Sequence, residues 1–402
     1  MHDLTSFGLA VLLVSGALSA ALLASKASAR TSIPPAAVFL AAAALASDLW
    51  PSLAFPIGTV EKIATVALIV ILFDGGASIG WRRFRLAGGA IASLGVAGTF
   101  ATAGLVAAFA HAVFGFGWTE SGLLGAAIAP TDPAVMFSVL GEREISGRTG
   151  TILEGESGAN DPVGIALMLG MIELATRHGS FWVVVRVFAE QMSIGLAIGV
   201  AGGLAERFLM QRVRLPSAGL YTIRTLGLAG LVYGAAAVAH GSGFLAVFVA
   251  GLLVGDLRAP FAREIEVFQE GLSTLAEIVV FVALGLTIDL SNVGGAHWGE
   301  GIAFAAFLAL VARPLVLSVL LAPTRLDRGE RLFVMWGGLK GAVPILLAAF
   351  ALSRHVHDAQ RLYEIVFVVV LASVVVQGGT IAPAARRFGV DMRARTIDER
   401  YS

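Results

Sequence analysis

The decisive stretch of the sequence is Gly125-Ala126-Ala127-Ile128-Ala129-Pro130-Thr131-Asp132-Pro133-Ala134, which places two prolines around an acid inside an apolar segment. Each proline removes a backbone donor and clashes with the carbonyl four residues earlier, so a helix breaks here. Backbone left unpaired at membrane depth is tolerated only inside protein or beside a water-filled cavity. The stretch therefore predicts a broken membrane helix with Asp132 at its break, rather than a kinked helix whose acid is satisfied by packing.

A second interrupted segment reads Trp336-Gly337-Gly338-Leu339-Lys340-Gly341-Ala342-Val343-Pro344. Glycines and a proline again surround one charge, here a positive one. Two Gly/Pro-interrupted segments in corresponding halves of a chain indicate a transporter binding site. If the two broken helices cross, we expect Asp132 and Lys340 to offset the partial charges at the ends of the half-helices.

The composition of the whole chain is that of a polytopic membrane protein. Of 402 residues, 57% are apolar and only 14% are charged, against roughly 25% charged in a soluble domain. The 28 basic and 28 acidic residues cancel and form no basic run, which excludes a nucleic-acid binder. With no cysteine and 7 scattered histidines, no cofactor is expected. Glycine-rich stretches favour close helix packing over a nucleotide site.

Apolar runs, most of them near the roughly 20 residues that span a bilayer, occur thirteen times along the chain. The first is interpreted as a retained helix because its positive charges follow it, unlike those of a signal peptide. The interrupted segments are numbers 5 and 12, which run in opposite directions. This predicts an all-α polytopic protein of two inverted-topology repeats with two crossed, broken helices. The segments lie at 4–24, 33–50, 59–79, 87–113, 119–140, 150–175, 181–206, 219–239, 242–255, 270–290, 299–322, 331–353 and 362–384.

Loop charge predicts the orientation of these segments. The loops after the odd-numbered segments, with the C-terminal tail, contain 20 of the 28 Lys and Arg residues, whereas the opposite loops and their helix edges contain 4. Cytoplasmic loops are the ones enriched in Lys and Arg. We therefore expect a multi-pass protein surrounded by membrane lipid, with its N-terminus outside and its C-terminus in the cytoplasm.

Segment 6 contains the densest polar sequence, Glu154-Gly155-Glu156-Ser157-Gly158-Ala159-Asn160-Asp161-Pro162-Val163. Glu156 and Asn160 share one helix face, and Ser157 and Asp161 share an adjacent one. Their oxygens suit alkali cations, and a carboxylate buried at this depth can hold either a proton or a cation. This competition favours a cation–proton exchanger. A cation channel through the same broken helices, and an intramembrane hydrolase with paired acids, remain alternatives.

Three of these motifs resemble the signature segments of the bacterial monovalent cation:proton antiporters of the first class, the NhaP-like proteins. They are Thr131-Asp132-Pro133, the run from Glu156 to Pro162, and the run from Trp336 to Pro344. Phe73-Asp74-Gly75-Gly76 and Arg313-Pro314 are most similar to the potassium/proton, cell-volume-regulation branch, although from the short tail we expect its cytoplasmic regulatory domain to be absent. Lys340 departs from the family pattern, which commonly has Arg.

The resemblance implies a role for each residue of the site. Asp161 would bind the cation and the proton, with Ser157, Thr131 and Asp132 beside it, and no other metal is implied. Asn160 would organise the crossing, and Glu156 would pair with a basic residue on segment 12, which here is Lys340; pairing of Lys340 with Asp132 is the alternative. Asp74 is either an acid of the cytoplasmic funnel or a helix cap.

The resemblance also implies how the protein works as a whole. It would be a transporter and not an enzyme, a homodimer in the bacterial plasma membrane, exchanging Na⁺, K⁺ or Li⁺ for H⁺. A single titrating aspartate implies electroneutral exchange. The moving core would consist of residues 87–176 and 299–384, and the scaffold and dimer helices would consist of 1–86 and 219–290. A connector would occupy 181–206, and a short cytoplasmic tail would occupy 385–402.

Overall fold

The computed structural model describes residues 16, 19, 34–53, 55–132, 135, 136, 140, 143–145, 147–177, 180–257, 260–291 and 293–394. Within these residues the chain is almost wholly helical, as predicted. The first predicted segment, 4–24, and the second half of segment 5, 133–140, lie mainly outside the described residues. The count of thirteen spans therefore stays a prediction.

The α-helices of the described residues are numbered α1 to α15 in chain order. Their bounds are α1 Pro35–Leu49, α2 Ile57–Ala92, α3 Thr99–Phe114, α4 Trp118–Ile128, α5 Gly147–Arg177, α6 Trp182–Arg212, α7 Ala218–Val238, α8 Gly243–Val254, α9 Ala262–Gly285, α10 Gly295–Phe307, α11 Arg313–Leu320, α12 Arg328–Trp336, α13 Ala342–Ser353, α14 Ala359–Ala372 and α15 Gly379–Phe388. Three π-helical stretches each join two consecutive α-helices into one longer continuous helix. They are π1 Ser93–Gly98, π2 Leu308–Ala312 and π3 Ser373–Gly378.

Six helical stretches of the described chain are long and apolar enough to cross a membrane. They are Ile57–Phe114, Trp182–Arg212, Ala218–Val238, Ala262–Gly285, Gly295–Leu320 and Ala359–Phe388. The helices α1, α8 and α13 are also apolar but shorter. Within this bundle α2 packs against α8 and α9, α4 packs against α3 and α5, and α10 packs against α14.

The longest of these stretches bends at Gly80. It contains 58 residues, more than twice what one span needs. Gly80 has φ 67° and ψ 155°, a conformation that glycine adopts without steric cost. An added Cβ would lie 2.6 Å from Asp256 Oδ1, and the Asp256 carboxylate accepts a hydrogen bond from the Arg82 amide at 2.6 Å. Gly80 therefore marks the boundary between predicted segments 3 and 4.

The two interrupted segments are broken where their prolines and glycines predict. The helix α4 ends at Ile128, and the chain is not helical from 129 to 132. In the other segment α12 ends at Trp336 and α13 begins at Ala342, which leaves 337–341 outside the helices. By contrast, α5 continues through Pro162 without a break. The polar residues of segment 6 are therefore displayed on a continuous helix.

One short β-ribbon is an exception to the helical fold. Strand β1, Arg143–Ile145, pairs antiparallel with strand β2, Met392–Ala394, and Ile145 lies opposite Met392. The Ile145 side chain is buried. The ribbon connects the start of the C-terminal tail to the loop between the broken segment 5 and α5.

Candidate functional site at the crossing of the broken segments

The two unwound segments contact each other directly. The Asp132 amide donates to the Leu339 carbonyl at 2.8 Å. The Lys340 ammonium Nζ donates to the carbonyls of Ala129 and Pro130, at 2.8 and 2.9 Å. Carbonyls at the end of a helix have no partner within the helix and carry partial negative charge. Lys340 therefore satisfies the C-terminal end of α4 where the proline break exposes it.

A glycine makes this close contact possible. A Cβ added to Gly341 would overlap the Asp132 carboxylate, so no larger residue fits there without moving that side chain. Gly341 directly precedes the first residue of α13. The glycines of segment 12 thus serve two purposes, because they interrupt the helix and they leave room for the acid of segment 5.

The polar face of α5 is bonded to Thr131. The Asn160 side chain donates through Nδ2 to Thr131 Oγ1 at 2.8 Å, and its Oδ1 accepts from the Thr131 amide at 3.3 Å. The Ser157 hydroxyl donates to the Thr131 carbonyl. Two residues of one helix therefore fix both backbone groups and the hydroxyl of Thr131. The structure brings together these three predicted site residues.

Asp161 lies next to this network and is buried, with 6% of its surface exposed. Its Oδ1 atom has no hydrogen-bond partner within the described part of the chain. Asp132 and Lys340 are close enough for their charges to act on it. A charged carboxylate removed from water is strongly destabilised unless another group compensates it. The site can therefore be completed by a proton or by a cation bound at Asp161.

Glu156 does not pair with Lys340, which corrects the expectation from the sequence. Its carboxylate receives two hydrogen bonds from Arg313, at 2.8 Å from Nη1 and 3.1 Å from Nη2. Arg313 also donates to the carbonyls of Met335 and Val334, both at 3.0 Å. The planar guanidinium can serve four acceptors in this way, whereas an ammonium presents one compact charge. Lys340 is instead occupied by the carbonyls of segment 5.

Comparison with known proteins places this arrangement in a family. Residues 14–387 match the model of the family described as "Sodium/hydrogen exchanger, transmembrane". The chain belongs to this family. It is a multi-pass membrane protein, and the family is one of transporters.

The relatives that the chain matches align with most of its length. It is 34% identical over 84% of its residues to the K(+)/H(+) antiporter NhaP of Alkalimonas amylolytica, and spans 58% of that protein. It is 34% identical over 95% of its residues to the K(+)/H(+) antiporter NhaP2 of a Shewanella species, strain MR-4, and spans 68% of that protein. Identity to the Na(+)/H(+) antiporter NhaH of Halobacillus dabanensis is 26%, over 75% of this chain and 76% of that protein.

A solved structure shares the fold of this chain. The sodium proton antiporter MjNhaP1 of Methanocaldococcus jannaschii superposes with a TM-score of 0.78, covering 92% of this chain and 99% of that one, at 21% sequence identity. The likeness supports the prediction of a helical membrane protein with two crossed, broken segments.

The candidate site contains residues that the motifs did not identify. The motifs point to Arg313 only through the family resemblance, and they do not point to Ser373 or Gln377. These two polar residues lie within the apolar run 362–384, and that contrast is the signal that could have singled them out. Both are buried beside the unwound segment 337–341.

Two further acids lie on the helices α2 and α9. Asp74 is inside α2 and half-buried, so the interpretation as a helix cap is wrong and the funnel interpretation stays a prediction. Glu277 is half-buried on α9, near enough to Asp132 for the two charges to interact.

Proposed function

We propose that this member of the exchanger family carries out secondary active antiport of a monovalent alkali cation against H⁺ by alternating access around Asp161. The observation that carries the proposal is the buried Asp161 Oδ1, which has no hydrogen-bond partner among the residues that the structure describes. It lies next to the hydrogen-bonded Thr131 network. Such a group is stabilised in turn by a proton and by a cation. The relatives' names, K(+)/H(+) and Na(+)/H(+) antiporter, support the same reaction class over a channel.

The cation's immediate ligands would be oxygens of segment 5 and α5. Asp161 provides the charge, and Thr131, Asp132 and Ser157 provide further oxygens nearby. Alkali cations are hard ions that are suited by carboxylate, hydroxyl and carbonyl oxygens. Asn160 and the Glu156–Arg313 pair do not need to touch the cation, because their hydrogen bonds already fix the elements that carry the ligands.

Exchange in proteoliposomes tests the proposal. Purified protein is reconstituted with an internal pH dye, and K⁺, Na⁺ or Li⁺ is added separately outside. The expected result is alkalinisation of the vesicle interior, because each cation that enters is exchanged for a proton that leaves, and this signal should disappear in Asp161→Asn. Glu190→Gln, a carboxylate-to-amide change on the exposed face of α6, is the matched control and should retain exchange. Cation flux without proton movement would favour the channel, and hydrolysis of an added peptide or lipid would favour the hydrolase.

The proposed orientation places the N-terminus outside and the C-terminus in the cytoplasm of a bacterial cell. The excess of Lys and Arg in alternate loops supports it. Because the chain contains no cysteine, single cysteines can be labelled without background. A membrane-impermeant thiol reagent added to intact cells should label His357→Cys and leave Arg325→Cys unlabelled; the reverse pattern would contradict the proposed orientation.

We also propose a homodimer in which a core moves against a fixed scaffold. The core consists of residues 87–176 and 299–384, and the scaffold consists of 1–86 and 219–290. The connector between the halves occupies 181–206. The packing of α2 against α8 and α9, and of α10 against α14, supports this division. The dimer itself rests on the resemblance to the antiporter family, and mass measurement of the detergent-solubilised protein would test it.

A further inference from the structure

Two polar side chains in π3, those of Ser373 and Gln377, form hydrogen bonds to the backbone at both ends of the unwound part of segment 12. The Ser373 hydroxyl accepts a hydrogen bond from the Lys340 amide at 3.0 Å and donates to Gln377 Oε1 at 2.6 Å. Gln377 Nε2 then donates to the Trp336 carbonyl at 3.2 Å. Ser373 is 3% exposed and Gln377 is 6% exposed. One continuous chain of hydrogen bonds therefore joins the residue before the break to the residue that carries the ammonium.

The location of this pair in a π-helical turn is unusual. Such turns are rare in proteins and occur frequently at functional sites. The two side chains are four residues apart, and their direct hydrogen bond shows that they lie on one face of the widened turn. They also line a small cavity together with Thr102 and Lys340. An apolar pair at these positions would leave the Lys340 amide and the Trp336 carbonyl without these partners.

The arrangement repeats what α5 does for the other broken segment. There Ser157 and Asn160 bond the backbone and side chain of Thr131. Asp161 follows Ser157 by four residues, as Gln377 follows Ser373. The second half of the molecule thus has a neutral amide at the spacing at which the first half has the exchanging carboxylate.

We propose that Ser373 and Gln377 are positioning residues that keep the Lys340 ammonium on the carbonyls of Ala129 and Pro130 and away from Asp161. The proposal rests on the proposed function, because its consequence is an effect on cation affinity. Lys340 lies within electrostatic range of Asp161. If the backbone of 337–341 is released, the ammonium can move to the carboxylate and compete with the transported cation.

The first measurement does not depend on transport. Hydrogen exchange followed by mass spectrometry on peptides that cover 334–346 should show faster exchange in Ser373→Ala and in Gln377→Met than in the wild type. Ser373→Thr should restore slow exchange, because it keeps the hydroxyl and its methyl can occupy the neighbouring cavity. Ser318→Ala, the same substitution at an exposed position of α11, is the control and should leave the exchange of these peptides unchanged.

The second measurement separates positioning from structural damage. In proteoliposomes each variant should raise the KM for the cation roughly fivefold per lost hydrogen bond, with the maximal rate preserved. Ser373→Thr should return KM to the wild-type value. A lowered maximal rate at unchanged KM would overturn the proposal, because the pair would then act on the transport movement and not on the site.

The two readouts distinguish failure of this inference from failure of the proposed function. If wild-type protein does not exchange cations for protons, antiport is refuted, and the hydrogen-exchange comparison still tests the positioning role. If amide hydrogen exchange in the peptides that cover 334–346 is as slow in Ser373→Ala and Gln377→Met as in the wild type, the positioning role is refuted, whatever the transport assay shows.

Discussion

The structure predicts that Glu156 and Arg313 depend on each other for stability. We consider Glu156→Gln, Arg313→Met and the double variant. The pair is buried, with Glu156 3% and Arg313 6% exposed, and two hydrogen bonds of 2.8 and 3.1 Å connect them. Removing either partner leaves the other charge buried without compensation.

The expected magnitudes follow from these contacts. Loss of one partner of a buried pair costs about 3–5 kcal/mol of the free energy of unfolding. Arg313→Met should be the more damaging change, because the carbonyls of Val334 and Met335 also lose their donors. The double variant should be less destabilised than the sum of the two single variants, with a coupling free energy of about 2–3 kcal/mol.

Titration with a denaturing detergent gives the free energies needed for this double-mutant cycle. The control is the exposed pair Arg186–Glu173, at 3.0 Å with side chains 57% and 25% exposed, whose coupling should stay below about 1 kcal/mol. A second cycle combines Glu156→Gln with Lys340→Ala. If Glu156 couples to Lys340 as strongly as to Arg313, the assignment of the pair from the structure is refuted.

Three other outcomes are expected. Asp161→Asn should keep or raise the melting temperature, because it removes a buried charge whose Oδ1 lacks a hydrogen-bond partner within the described part of the chain. The same change should abolish the stabilisation produced by added cation, and a lower melting temperature would show that the carboxylate is structural. Gly341→Ala should destabilise the protein by about 1–3 kcal/mol and abolish exchange, because the added Cβ would overlap Asp132. The control Gly299→Ala should be tolerated, because its Cβ would meet nothing within 4 Å. The rate of Na⁺ or Li⁺ exchange should not vary with voltage in liposomes whose membrane potential is clamped with valinomycin. A one-for-one cycle moves no net charge, whereas a moved charge would gain or lose roughly 2.3 kcal/mol per 100 mV. If voltage changes the rate and Lys340→Arg abolishes that change, Lys340 is a second titrating group.

Local chemistry explains why much of this protein could be predicted from its sequence. The breaks in segments 5 and 12 follow from prolines and glycines, whose effects on the backbone act within one helical turn. The shared face of Ser157 and Asp161 follows from helical periodicity, and α5 displays both residues as expected. Only the family resemblance placed Asn160 and Thr131 in one site, and the structure adds the hydrogen bonds that join them.

The pairing of charges could not be predicted in the same way. Glu156 and Arg313 are 157 positions apart, and Lys340 and Ala129 are 211 positions apart. Which charge meets which carbonyl depends on the angle and register at which the helices cross, and a shift of one residue rotates a side chain by about 100° around its helix. The sequence offers Glu156 and Asp132 as partners for Lys340 without ranking them by distance.

The resemblance to the antiporter family singled out Asp161 as the aspartate expected to exchange a proton for a cation, whereas composition and local sequence pattern by themselves determined the membrane class and the two interrupted segments. These properties depend on hydrophobicity and on backbone geometry within a few residues. Only the tertiary structure decided that Lys340 satisfies the end of α4, that Arg313 pairs with Glu156, and that Ser373 and Gln377 bond the unwound segment 337–341. Buried polar groups must find partners in space, and side-chain packing between helices distant in the chain determines which partners are within reach.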